Sequence, residues 1–247
     1  MPAEVVSQTV ILAAGYGSRL GSAESGVPKP LMAIAGLPLI AHALDHARAS
    51  GCTEAVVVIG HRGDLVQAAV EAMRPALALR FVENPDVSAP NGLSLLAAEP
   101  LVHECFYLQM VDHVFAGNAL SRLSAVPLER LEAGRVLIDR SPGDAIDVAD
   151  ATKVRVNGSR ILAIGKQVDP WDAIDAGCFV LTRSVFDALR AVPEGEPLTV
   201  SSGMRQLVAR EALGMADLAG IDWIDVDTPA DRAAAERILM ASPARTP

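Results

Sequence analysis

Val10–Leu31 reads VILAAGYGSRLGSAESGVPKPL, and the order of its parts decides the fold. The apolar run from Val10 to Ala14 stops at Gly15, as a buried strand does when it enters a glycine-rich turn. In Ala13-Ala14-Gly15-Tyr16-Gly17-Ser18-Arg19, two glycines and small neighbours let backbone N–H groups come close to a phosphate chain. Arg19 and Lys29 add two cations. Pro28 and Pro30 stiffen the backbone around the lysine and limit the conformations it loses on binding. A triphosphate needs this combination. The spacing Gly15, Gly17, Gly21 is not GxGxxG, and no Gly-Lys-Ser/Thr closes the loop, so neither the dinucleotide fingerprint nor the Walker loop fits.

Working outward, Pro38–Ser50 carries apolar residues at 39, 40, 43, 44 and 47 and halts at Gly51, which predicts an amphipathic helix. Glu54–Gly60 reads as a strand, Asp64–Met73 as a helix and Leu77–Val82 as a strand. Two β-α-β crossovers of this kind predict a parallel sheet flanked by helices, hence an α/β, Rossmann-like fold. Asn91–Glu99 reads as a short helix capped by Asn91. Cys105–Val111 reads as a central strand that ends at Asp112, and ligands in open α/β sheets collect at such carboxyl ends. From Gly134 the pattern turns β-rich: GRVLIDR, then KVRV and RILAIG around Asn157-Gly158, then AIDAGCFVLT, with the Asn-Gly pair predicting a tight hairpin. Helices are expected at Ser184–Ala191, Ser202–Leu213 and Pro229–Met240, and a strand at Trp223–Asp227. No repeat or linker divides the chain, so one domain is expected, with residues 1–130 and 131–247 as its two halves.

The chain has 247 residues, 51% of them apolar and 21% charged, with a net charge of −9. That charge repels nucleic acid and anionic lipid, whereas local donors at a loop still bind a small anion. Cys52, Cys105 and Cys178 are far apart and lack metal-ligand spacing, which predicts reduced thiols. The N-terminus shows no leader pattern. The longest apolar stretch, Leu31–Leu44, is broken by Gly36, Pro38 and His42 and is shorter than the roughly 20 residues of a membrane span. A cytoplasmic location without membrane insertion is expected.

Leu12-Ala13-Ala14-Gly15-x-Gly17-Ser18-Arg19-Leu20, followed by Pro28-Lys29-Pro30-Leu31, resembles the signature of the nucleotidyltransferases that make nucleotide sugars and CDP-alcohols, a GT-A-like fold. The resemblance implies that Leu12, Ala13, Ala14, Gly15, Gly17 and Ser18 hold the nucleotide, while Arg19 and Lys29 neutralise its phosphoryl groups. It also implies Mg²⁺ held by Asp112, at the end of its strand, and by a second carboxylate in Trp223-Ile224-Asp225-Val226-Asp227-Thr228-Pro229. Asp227 is favoured, although strand alternation would place Asp225 on the same face. An Asp-Thr-Pro run is also an ordinary helix start, and His113 reads more readily as a packing residue than as a ligand. Loss of Lys29 is expected to spare the fold, because a lysine between prolines contributes little packing.

The resemblance narrows further. Asn84-Pro85, Asn91-Gly92-Leu93-Ser94-Leu95, Asp112-His113-Val114, Ala151–Val156, Gly165-Lys166, Asp175–Val180 and Trp223–Thr228 together are similar to the CTP:inositol-1-phosphate cytidylyltransferase family. That family makes CDP-inositol for a membrane CDP-alcohol phosphotransferase, expected here as a separate protein. Asn91 and Ser94 offer short polar groups for a pyrimidine edge. Lys166 is expected at the acceptor phosphate, with Gly177 beside it. Asp139, together with Asp144, Asp147, Asp172 and Asp175, is a candidate to bind polyol hydroxyls. Few aromatic residues are present to build a choline cage.

Overall fold

The computed structural model describes residues 6–17, 26–125, 128 and 132–241. The apolar run becomes β1 (Gln8–Leu12), buried throughout. Ile11 packs on one face of the sheet with Val57 and Tyr107, while Val10 and Leu12 pack on the other with Val56, Val58 and Phe106. A strand covered on both faces has no solvent side, which is why Val10–Leu12 are apolar without alternation, while the buried Gln8 and Thr9 side chains are hydrogen-bonded. A small hairpin of β2 (Ala33–Ile34) and β3 (Leu37–Pro38) leads into helix α1 (Leu39–Ala49), then β4 (Glu54–Ile59), α2 (Gly63–Met73) and β5 (Ala78–Glu83). Helix α1 buries Leu39, Ile40, Ala43, Leu44 and Ala47. It stops before Gly51, whose φ of +88° is the left-handed geometry that glycine adopts at least cost.

Next come α3 (Gly92–Ala98), β6 (Cys105–Met110), β7 (His113–Phe115) and α4 (Leu120–Leu123). The second half supplies β8 (Gly134–Asp139), β9 (Lys153–Asn157), β10 (Arg160–Gly165), β11 (Ala173–Thr182), α5 (Ser184–Arg190), α6 (Val200–Ala209), β12 (Leu213–Asp217), β13 (Trp223–Asp225) and α7 (Pro229–Ala241).

Nine strands form one sheet in the order β5-β4-β1-β6-β11-β8-β12-β10-β9. The first four are parallel neighbours. From β11 onward the pairing is antiparallel except between β12 and β8. Strand β9 also pairs back onto β11, so the last five strands close on one another. The β-rich half therefore extends the sheet of the first half. Strand β11 shifts register between Asp175 and Phe179, around Gly177. Gly177 has φ +71°, and a Cβ there would lie 2.3 Å from the His113 ring, so both backbone and space exclude a side chain.

Three local expectations are corrected. The helix expected over Ser202–Leu213 begins at Val200 and ends at Ala209, Glu211 turns left-handed (φ +55°), and Leu213 opens β12. Nothing in the local sequence stops the helix; the pairing of β12 along β8 does, and tertiary pairing outweighs weak helix propensity. Asn91 does not cap α3. It adopts helical angles, and its Oδ1 accepts the Val200 N–H at 2.9 Å. The last expected strand is shorter and ends at Asp225, paired to β7 with Asp225 opposite His113. Cys52 and Cys178 are buried free thiols, and Cys105 is half-buried.

Candidate active site

Because β1 and β6 are parallel neighbours, the glycine loop and Asp112 leave the sheet side by side at the carboxyl ends of their strands. A cavity of about 270 Å³ opens there, lined by Leu12, Ala13, Ala14, Gly15 and Gly17, with Lys29 at its floor. Gly17 has φ +63°, and a Cβ on it would stand 2.4 Å from the Lys29 Cβ, so the loop closes directly on the lysine. Ser18 and Arg19 lie outside the described residues. Ser94 lines the same cavity, buried, its Oγ accepting Asn84 Nδ2 at 2.9 Å. Asn84 is thus a wall of the cavity for which sequence reading supplied no role.

The charged centre is tightly built. Lys29 Nζ donates to Asp112 Oδ2 at 2.6 Å and to Asp227 Oδ1 at 2.7 Å, with the lysine only 7% exposed. Burial alone would lower the ammonium pKa, but the two carboxylates outweigh it and raise the pKa above its usual value. Burial also works against ionised Asp112, yet Lys29 and His113 hold its carboxyl well below the usual carboxylate range. His113 Nδ1 meets Asp112 Oδ1 at 2.9 Å, and its ring stacks on Trp223 at 5.5 Å between centroids. Burial disfavours the imidazolium, but Asp112, Asp225 and Asp175 raise its pKa. Asp225 does not touch Lys29, and burial pushes its own carboxyl upward. The aspartates that converge on one cation are therefore Asp112 and Asp227.

A second cavity, of about 430 Å³, adjoins the first; Asn91, Met110 and Asp227 line both. Lys166, Gly177 and Asp175 line the second. Lys166 is exposed, and its Nζ pairs with the exposed Asp150. Lys153 Nζ donates to the Lys166 carbonyl at 3.2 Å and to that of Ala149 at 3.3 Å, tying together two segments of the cavity wall. Burial pushes the Asp175 carboxyl up to about 6, against the Gly177 N–H and His113. Asp139 lies apart from both cavities. Its Oδ2 accepts the Trp223 indole N–H at 2.8 Å and its Oδ1 accepts the Ser141 N–H at 2.9 Å. It steadies the tryptophan that backs His113. Asp147 lines the second cavity, whereas Asp144 and Asp172 line neither.

Among the described residues, no group of three or more His, Cys, Asp and Glu could hold a metal. Two converging carboxylates suit a hard cation that draws its other ligands from phosphate and water, as Mg²⁺ does.

The MobA-like NTP transferase domain model matches residues 9–213. Rubrobacter xylanophilus has a protein named "Bifunctional IPC transferase and DIPP synthase" that is 39% identical over 232 residues, 93% of this chain and 51% of that protein. A Streptomyces rubellomurinus "CMP-5'-(3-aminopropyl)phosphonate synthase" is 31% identical over 95% of this chain and 39% of its own. The chain thus spans about half the length, or less, of these curated relatives. The solved inositol-1-phosphate CTP transferase from T. maritima superposes with a TM-score of 0.83 at 26% identity, over 98% of this chain and 100% of that one. With the glycine loop, the lysine and the strand-end aspartate all at one cleft, the chain belongs to the MobA-like NTP transferase family.

Proposed function

We propose that this chain transfers CMP from CTP to inositol 1-phosphate, releasing pyrophosphate and giving CDP-inositol, with Mg²⁺ as cofactor. The observation that carries this reading is the meeting of two cavities at Asp227, one of the two aspartates that share Lys29. One cavity has the glycine loop a triphosphate needs, and the other is lined with hydrogen-bond acceptors. The names of the Rubrobacter protein and the T. maritima structure point the same way.

In the proposed reaction an acceptor phosphate oxygen attacks the α-phosphorus in line, the α–β bridging bond breaks, and pyrophosphate leaves. The nucleophile is already an anion, so no general base is needed, and positioning with charge neutralisation accounts for the catalysis. Lys29 has three N–H donors, two of them on aspartates, which leaves one for a phosphate oxygen at the floor of the nucleotide cavity. Arg19 adds a second cation to the same phosphates. Asp112 and Asp227 would hold Mg²⁺, which when bound supplies charge neutralisation at the phosphates. Lys166 aligns the acceptor phosphate. Asp175 and Asp147 accept hydrogen bonds from the polyol, while Asp139 acts through Trp223. Residues 1–130 build most of the nucleotide side and residues 131–247 most of the acceptor side, with Asp227 and Asn91 crossing between them. No helix among the described residues is long and apolar enough to cross a membrane. We place the reaction in the cytoplasm, with the product passing to a membrane CDP-alcohol phosphotransferase.

A second reading, transfer to an aminoalkyl phosphonate, is favoured by the Streptomyces relative and by the acidic wall, which suits an ammonium as well as hydroxyls. Phosphocholine is disfavoured, because the aromatic side chains on the second cavity, Trp223 and Phe179, are buried, Trp223 is already stacked on His113 and on Phe115, and a cage needs several open aromatic faces. The test is a pyrophosphate-release screen of four nucleoside triphosphates against phosphorylated polyols, sugar 1-phosphates, phosphocholine and aminoalkyl phosphonates. CTP with inositol 1-phosphate is expected to give the highest kcat/KM. A tenfold or greater preference for any other acceptor overturns the reading.

A further inference from the structure

Asn91 stands where the two cavities meet, and its side-chain oxygen is anchored to the second half of the chain. Its Oδ1 accepts the N–H of Val200, the first residue of α6, at 2.9 Å. The neighbouring Gly92 N–H donates to the Leu198 carbonyl at 3.0 Å, and a Cβ on Gly92 would lie 2.5 Å from that oxygen. These two bonds clamp the start of α3 to the start of α6, joining the halves of the chain across the cleft. The clamp also fixes the amide: a backbone N–H must be met by the carbonyl oxygen, so the NH₂ is the group left over. Among the described residues Nδ2 has no hydrogen-bond partner, and Asn91 is exposed on the wall common to both cavities. Ser94 and Asn84, by contrast, are buried on the nucleotide side alone and bonded to each other.

We infer that Asn91 positions the reacting phosphates, donating Nδ2–H to a phosphoryl oxygen at the junction, and that it does not read the base. The inference rests on the nucleotidyl-transfer reading above. A neutral donor fixed at the point where an anionic nucleophile approaches an anionic phosphate lessens the repulsion between them without introducing a mobile charge. Val200 thereby becomes the residue that aims Asn91, through its N–H alone.

Two substitutions test this. Asn91→Asp keeps an oxygen for Val200 but turns the donor into an anion. Val200→Pro deletes the Val200 N–H at a helix position that proline favours, after Thr199, whose extended backbone (φ −102°, ψ 163°) is the conformation a following proline requires. With saturating CTP and inositol 1-phosphate, Asn91→Asp is expected to lower kcat about a hundredfold and Val200→Pro about tenfold. The ratio of kcat/KM for CTP to that for UTP should stay within twofold of the wild-type value in both, and the thermal midpoint of Val200→Pro within a few degrees. A change in the CTP:UTP ratio of tenfold or more makes Asn91 a base reader and overturns the inference, as does a kcat within threefold of wild type in Asn91→Asp. If Asn91→Asp does not fold, Val200→Pro decides by the same two readouts, and the ratio of kcat values for Asn91→Ala replaces it if neither folds. If the wild-type protein prefers another substrate pair, the substrate reading falls, and the same variants measured on that pair still decide the role of Asn91.

Discussion

Lys29 and Lys166 both face the cleft and both meet aspartate, but they do so in opposite surroundings. Lys29 is 7% exposed and shared between two carboxylates that come from different halves of the chain. Lys166 and Asp150 each leave more than half of their side chain in solvent. In water an ion pair gains little, about 0 to 1 kcal/mol, because solvent competes for both partners. A buried lysine that has lost its water depends on its partners, and they depend on it. In the proposed reaction the first lysine therefore belongs to both the architecture and the chemistry, whereas the second can be devoted to a ligand. This pairing weighs against the expectation that loss of Lys29 spares the fold: sequence shows the prolines beside it but not the carboxylates around it.

The strongest way to break this contrast is Lys29→Ala. Turnover at saturating substrates should fall about a hundredfold or more, since charge-assisted bonds to phosphate contribute on the order of 1.5 to 3 kcal/mol each. The variant should also lose about 2 to 3 kcal/mol of stability, because Asp112 and Asp227 are left facing each other. Denaturant melts check this. An unchanged midpoint would mean that Lys29 matters only to phosphate.

Next in size, Asp112→Asn and Asp227→Asn should each lower activity about tenfold to a hundredfold and raise the Mg²⁺ concentration needed for half-maximal rate, since an amide keeps the shape but loses the charge that holds a hard cation. Asp225→Asn should do less, being off Lys29. A magnesium titration in which Asp225→Asn is the more damaged variant would exchange the two assignments.

Lys166→Ala should raise the KM for inositol 1-phosphate about tenfold while leaving that for CTP and the thermal midpoint nearly unchanged, because this ammonium grips one substrate and not the other. An effect confined to CTP removes Lys166 from the acceptor side.

A further expected effect is on stability against pH, where the two sides of the cleft should slope in opposite directions. The Asp112 carboxyl is held below its ordinary value by Lys29 and His113, so its contribution is present above about pH 4 and is lost as pH falls below that. Asp175 titrates near 6 when folded, so the folded state retains a proton that the unfolded chain has released. Stability tied to Asp175 is full below about pH 4 and is lost as pH rises toward and through 6. Asp175→Asn should consequently gain on the order of 2 kcal/mol at pH 7 and nothing at pH 4. Thermal melts across that range check the sign.

The parallel half was legible because its information is local. Buried strands read as unbroken apolar runs, α1 announces its end with Gly51, and the glycine loop is contiguous with β1. Strand β12 was not legible, since Arg210–Leu213 carries no stop signal and only the free edge of β8 ends the helix. The anchoring of Asn91 and Asp139 was not legible for a related reason. Each sits in a sequence context that suits the expected role, and each has its carbonyl or carboxylate oxygens engaged by a residue more than eighty positions away, Val200 and Trp223 respectively.

The sequence by itself determined the α/β class, the phosphate loop and the identity of the charged residues, because backbone freedom, apolar periodicity and side-chain chemistry are properties of neighbouring residues. Only the tertiary structure decided which aspartate completes the pair with Asp112. Asp225 and Asp227 are nearly equivalent in sequence, but β13 ends at Asp225, opposite His113, and the chain then turns Asp227 onto Lys29 at 2.7 Å. A charge is selected by distance to its partner in a buried site, and that distance is set by two segments almost two hundred residues apart.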